Sequence, residues 1–111
     1  MSAFDTTNKI HLSEPAQRDL AGIKLYIAEE LKNPTATLAT ITKITKSIRM
    51  LKTHAFAGAA LSSIARVDTD HRFLVTGNYL CFYRVEGSDV YIDRVIYGKR
   101  DYLRVLFDEE A

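Results

Sequence analysis

The sequence predicts an α+β domain in which a helical hairpin packs on an antiparallel sheet. Two amphipathic stretches are separated only by the break "KNPT", so two helices must fold back on each other. After Asp70 the texture changes to aromatic and β-branched runs divided by "TGN" and "EGSD", both hairpin signals. The 111 residues, 47% hydrophobic and 26% charged, suit one globular domain over 1–111 with a modest core.

The first element is "KIHLS", Lys9 to Ser13, whose alternation predicts a short strand. A helix follows over "SEPAQRDLAGIKLYIAEEL". Ser13 suits its N-cap and Pro15 its first turn, while Glu14 and Asp19 lie toward the positive end of the helix dipole. Ala16, Leu20, Ile23, Ile27 and Leu31 fall on one helical stripe. Asn33 then caps a second helix that starts at Pro34 and carries Leu38, Ile41, Ile44, Ile48 and Leu51. From Thr53 to Asp70 the pattern is small and apolar without a period, which predicts a loop with a short strand around Ser63 to Val67. "HRFLVTGNYLCFYRVEGSDVYIDRVIYGKR" supplies the three strands of a meander, and "DYLRVLF" a short helix with Asp101 as N-cap. With both long helices on one face, the other face of the sheet is expected to meet solvent or a partner.

Composition narrows the function classes. Fifteen Lys and Arg against fourteen Asp and Glu leave +1, so any basic footprint for nucleic acid must come from local clustering. The single cysteine, Cys81, excludes an internal disulfide, fits a reducing cytosol and reads as a small buried hydrophobe. The stretch "MSAFDTTNKIHL" has no cationic start and no apolar core, and no run approaches the roughly 20 apolar residues of a membrane span. A cytoplasmic protein without a membrane partner is the expectation. His11, His54 and His71 are far apart in sequence and there is no second cysteine, so no metal and no other cofactor is expected.

What remains is a set of cations, tyrosines and a histidine on strands. Such a set can cleave RNA without a metal. The ribose 2′-OH attacks its own adjacent phosphate, His or Tyr moves the protons, and Arg or Lys stabilises the extra phosphorane charge. The same cations equally suit a solvated sheet face, and composition and spacing leave both readings open. The densest stretch is "RVIYGKRDYLRVLF", where Lys99 and Arg100 stand together between Tyr97 and Tyr102.

"NYLCFYRVEGSDVYIDRVIYGKRDYLRVLF" resembles the C-terminal half of RelE/ParE-type toxins of bacterial type II toxin–antitoxin systems. The resemblance rests on a "Y-x-x-F-Y-R-V" strand, a Gly-Asp type turn, a "V-Y-x-x-R-V" strand and a "G-[KR]-R-D" corner, with the hairpin and "HRFLV" agreeing in order. It implies a toxin neutralised by a cognate antitoxin. RelE-like members cut ribosome-bound mRNA, whereas ParE-like members poison DNA gyrase. On the first reading, which the sequence favours, Arg100 matches the arginine that stabilises the phosphate. His71 falls about where a RelE-type lysine lies and would carry protons with Tyr97 or Tyr102. Arg66, Arg72, Arg84, Lys99 and Arg104 would position RNA. The gyrase inhibitor without nuclease activity is the alternative. Two departures bear on the choice. Leu80 stands where the RelE-type "G-Y-R-L-V-Y" strand has its arginine, and Leu106 and Phe107 stand at the distance of its C-terminal tyrosine.

Overall fold

The computed structural model describes residues 7–107. In chain order the elements are β1 (Lys9–Leu12), α1 (Glu14–Leu31), α2 (Pro34–Met50), β2 (Ala59–Ala60), a 3-10 turn (Leu61–Ser63), β3 (Arg72–Thr76), β4 (Tyr79–Glu86), β5 (Asp89–Tyr97) and α3 (Tyr102–Phe107). Both long helices start where their caps predict. The Ser13 hydroxyl accepts the Ala16 N–H at 3.0 Å, and the Asn33 side chain accepts that of Ala36 at 3.1 Å. Between them Lys32 adopts a left-handed conformation with φ 48°, which ends α1 and lets Asn33 begin α2 at once. From the α1 stripe Ala16 and Ile27 are buried and Leu20 and Ile23 pack against the core; the Leu31 side chain lies outside the described set.

The strands form one sheet in the order β1-β5-β4-β3-β2. The meander β3–β4–β5 is antiparallel, and its two-residue turns carry Gly77 at φ 59° and Gly87 at φ 61°. β1 pairs parallel with β5, Lys9 opposite Asp89 through Leu12 opposite Ile92, so the five-stranded sheet is mixed. Nothing in the strand sequence of "KIHLS" encodes that direction; it follows from where the hairpin leaves the chain. Where β1 stops, α1 takes over the edge of β5. Ser13 N–H donates to Ile92 O at 3.0 Å, its hydroxyl donates to Asp93 O at 2.8 Å, and Asp19 accepts the Val95 N–H at 2.9 Å.

The register slips once, with Phe82 opposite Arg94 but Tyr83 opposite Ile92, so Asp93 is the extra residue of a β-bulge. The bulge restores parity. Val90, Ile92 and Val95 all reach the helix-side core with Cys81, Tyr83, Ile44, Ile48 and Leu51, although the last spacing is odd. Fully burying each such side chain contributes about 2 kcal/mol.

The opposite face differs from its expected bareness. Phe82 and Ile96 are buried there with Leu61, beneath Tyr102, Leu103, Leu106 and Phe107 of α3 and beside Phe73 and Leu80. The strand expected around Ser63 to Val67 is also absent. Its place is taken by the two residues of β2 and the 3-10 turn, where Tyr83 Oη accepts the N–H of buried Gly58 at 2.9 Å. No described helix is long and apolar enough to cross a membrane.

Candidate functional site

The bulge aims Asp93 at two side chains from neighbouring strands. Asp93 Oδ2 accepts from Arg84 Nε at 2.7 Å and lies 2.9 Å from His71 Nε2, and Oδ1 accepts from Arg84 Nη2 at 3.2 Å. The other ring nitrogen, His71 Nδ1, is 2.6 Å from the Thr69 hydroxyl. A proton on Nε2, with Thr69 donating to Nδ1, satisfies every partner, so both ring nitrogens are engaged. The ring also meets Phe107 of α3 edge-on, and the His71 side chain is only 15% exposed. Arg84 makes a further bond to Glu86 at 3.1 Å and lies over the Tyr91 ring, which stacks on His11. The hydrogen bond to Asp93 is the main reason that the Arg84 pKa is raised.

Arg94, next along β5, reaches back to α1. Its Nε and Nη2 donate to the two Asp19 oxygens at 2.7 and 2.8 Å, a fork-to-fork pair that raises the Arg94 pKa. Between this pair, the His71–Asp93 contact and α3 lies a cleft of about 380 Å³ lined by Ser13, Pro15, His71, Asp93, Arg94, Val105 and Leu106. A second groove, of about 440 Å³, runs along the helical hairpin over Ala28, Leu38 and Ile41, with Lys24 and Lys32 at its rim. Cys81 is no nucleophile, because burial and the nearby Asp93 charge push its thiol up to about 12.

The corner after β5 is a different environment. Gly98 N–H donates to Asn78 O at 2.7 Å, and an added Cβ would stand 3.2 Å from that same oxygen, so the corner is strapped to the β3–β4 turn. Tyr97 packs edge-on against its register partner Tyr79, centroids 5.8 Å apart. Burial first, then the nearby Tyr26 and Tyr97 phenols, raise the Tyr79 pKa, so three hydroxyl-bearing rings gather here. Lys99 and Arg100 are exposed and have no side-chain partner among the described residues.

The residues singled out from the sequence therefore fall into separate groups. His71 and Arg84 meet at Asp93. Tyr97, Lys99 and Arg100 form the corner, at the level of Thr76 and Tyr79. His71 precedes β3 at its other end, five residues away, or about 16 Å at roughly 3.3 Å per residue. Tyr102 stacks on Phe82 between the two groups. Arg72 is spent on the chain itself, donating to the carbonyls of Gly58 and Phe56 and lying over the Phe56 ring. Arg66 is exposed, and among the described residues the Arg104 side chain pairs with Asp101, at 3.8 Å. Leu80 packs with Phe82 and Ile96. Asp93, Tyr26 and Tyr79 are not candidates in the sequence and Asp19 enters there only as a helix-dipole residue; the odd spacing of Ile92 and Val95 is the signal that exposes Asp93.

A hairpin, a meander and a short helix returning over the outer face are the frame of a known family. The family model described as the ParE toxin of the type II toxin–antitoxin system parDE matches residues 10–102. The chain belongs to the ParE toxin family. Among solved structures, a chain of the chromosomal ParDE system from P. aeruginosa is similar at 20% identity, over 83% of this chain and 97% of that one, with a TM-score of 0.68. A chain of the RelBE2 toxin–antitoxin complex from Mycobacterium tuberculosis is similar at 21% identity, over 82% and 91%, with a TM-score of 0.54. These two likenesses concern the fold. No curated protein sequence matches. Within the ParE frame the Arg94–Asp19 pair lies where β5 meets α1, and the free cations where β5 gives way to α3.

Proposed function

We propose that this chain is the toxin of a type II pair, that a cognate antitoxin neutralises it, and that it acts in the cytoplasm by poisoning DNA gyrase rather than by cutting message. The carrying observation is that His71 has both ring nitrogens bonded, to Thr69 and Asp93, while Arg84 is spent on the same carboxylate. A nuclease of the kind outlined from the sequence needs a proton carrier with a nitrogen facing the ribose and an arginine facing the phosphate. Here His71 and Arg84 are both bonded to Asp93, and Arg100, the arginine matched to the phosphate, stands at the far end of β3 from His71, about 16 Å away at roughly 3.3 Å per residue. Leu80, packed among apolar side chains, adds to this, because a position that would contact phosphate contributes to the core instead. The toxin–antitoxin systems that hold the similar folds support the antitoxin, and the ParE family match, with ParE-like members poisoning gyrase, favours that target. In this reading the protein does no chemistry. It binds, and Lys99 and Arg100 serve recognition.

The test is to induce the protein alone in growing cells. Growth arrest with double-strand DNA breaks and intact message, relieved by the product of a neighbouring antitoxin frame, is the expected result. New mRNA ends inside codons with unbroken DNA would overturn the gyrase reading.

A further inference from the structure

The corner platform has the chemistry of a docking surface that neither of the two clefts shares. Tyr26 from α1 is 62% exposed and Tyr97 from β5 is 37% exposed, Tyr97 packs on Tyr79, Tyr26 is near enough to Tyr79 to act on its phenol, and Lys99 and Arg100 follow Tyr97 in the chain. None of these five lines either cleft. A groove suits an inserted segment, whereas a platform without a cleft suits the face of a folded partner. Two of the rings and the corner backbone are already held: Tyr97 packs against Tyr79, and Gly98 ties the corner to the β3–β4 turn. Pre-ordered rings reduce the entropy cost of association, and tyrosine with arginine dominates protein hot spots.

Charge decides what the partner carries. Two cations without a side-chain partner among the described residues seek anions, and Asp101, the acid beside them in sequence, faces Arg104. Nucleic acid is the weaker match. Neutralising two phosphates gives a salt slope of only about −1.8, against the roughly six to ten contacts of a strong binder. Carboxylates on a protein face need only one or two matched positions, with the rings supplying the remaining area.

We propose that Tyr26, Tyr79, Tyr97, Lys99 and Arg100 form the surface on which the toxin's protein target docks, through a folded face presenting carboxylates beside apolar residues. This rests on the reading above that the target is a protein, with DNA gyrase as the probe. The variants are Lys99→Glu with Arg100→Glu, and separately Tyr26→Ala. Their affinities for purified gyrase, for the purified antitoxin and for a short DNA duplex are measured beside the thermal midpoint. The charge reversal is expected to weaken gyrase binding about tenfold or more, and Tyr26→Ala several-fold, with antitoxin affinity and midpoint unchanged. Wild-type protein that binds gyrase, together with variants that bind it equally well, overturns the surface alone. Wild-type protein that does not bind gyrase overturns the target reading and this surface with it. Antitoxin affinity falling in step assigns the corner to the antitoxin, and duplex binding that the reversal abolishes assigns it to nucleic acid; either result overturns the proposal.

Discussion

Two arginines of the meander face carboxylates, Arg84 of β4 on Asp93 and Arg94 of β5 on Asp19, with the Asp93 side chain 21% and the Asp19 side chain 13% exposed. Past the end of β5, Lys99 and Arg100 face none among the described residues. Both regions read as cations beside tyrosines in the sequence, and they do different work. A guanidinium forked onto a largely buried carboxylate commits two of its five N–H donors and its charge to the scaffold, and Arg94 in this way ties α1 to the edge of β5. The corner backbone is strapped by Gly98, and its two cations are unspent among the described residues. Residue type does not separate the two cases; the position of the nearest carboxylate does.

The contrast breaks most easily at Asp19. Replacing it with alanine strands Arg94 and leaves the Val95 N–H without its acceptor. Such a loss costs about 3 kcal/mol, which lowers the melting temperature by about 10 °C in a domain of this size. Calorimetry or urea unfolding would show it, and a change below about 0.5 kcal/mol, the level of neutral surface substitutions, would mean that Arg94 is no part of the scaffold. Gly58→Ala comes next. An added Cβ would stand 2.5 Å from Phe73 O and 2.7 Å from Tyr83 Oη, and Arg72 is anchored on the Gly58 carbonyl. Backbone on one side cannot give way, so we expect about 2 kcal/mol of destabilisation by the same measurement. An unchanged midpoint would mean that the loop holding Arg72 is soft.

The fold was legible because its signals are local. Ser13 and Asn33 announce their helices by side-chain capping, and the glycines at 77 and 87 mark turns that need positive φ. The parallel seat of β1 was not legible, because pairing direction between segments some 80 residues apart leaves no pattern in either strand. α3 over the outer face was missed for a related reason: "YLRVLF" reads as a helix, but its docking on Phe82 and Ile96 is a tertiary choice. The site was least legible. From the sequence His71 reads as a proton carrier and Arg72 and Arg84 as RNA-positioning cations, yet what they contact is set by Asp93, Gly58 and Phe56, which only the bulge and the β2 turn bring to them.

A smaller effect tests the paired region through its charge. Cys81 feels Asp93 as well as burial, and its thiol is raised from 9.0 to about 12. Below pH 9 the thiol is protonated in both folded and unfolded chains. Between pH 9 and about 12 the unfolded chain releases the proton and the folded chain keeps it, so stability falls as pH rises. The slope approaches 1.4 kcal/mol per pH unit, which makes the loss between pH 8 and 10 about 1 kcal/mol. Cys81→Ala lacks that component, so urea unfolding at the two pH values should show wild type losing about 1 kcal/mol more than the variant. Equal losses would mean that the thiol ionises freely and that this part of the core is open to water.

The smallest expected change in stability belongs to the corner, and it sharpens the comparison most. Lys99→Ala and Arg100→Ala remove no bond within the described chain, so each should leave the unfolding free energy within about 0.5 kcal/mol of wild type. Growth inhibition should fall with both, because a residue that does nothing for the fold and sits on a rigid corner is kept free for a partner. Measuring the two readouts on the same variants separates scaffold from surface. A variant that loses more than about 1 kcal/mol, beyond the usual range of surface substitutions, would place that cation in the scaffold with Arg84 and Arg94. A variant that keeps both full stability and full toxicity would reduce its cation to a solvated turn residue. If Arg100→Ala were stable and non-toxic while Lys99→Ala kept its toxicity, recognition would rest on the guanidinium fork rather than on charge alone.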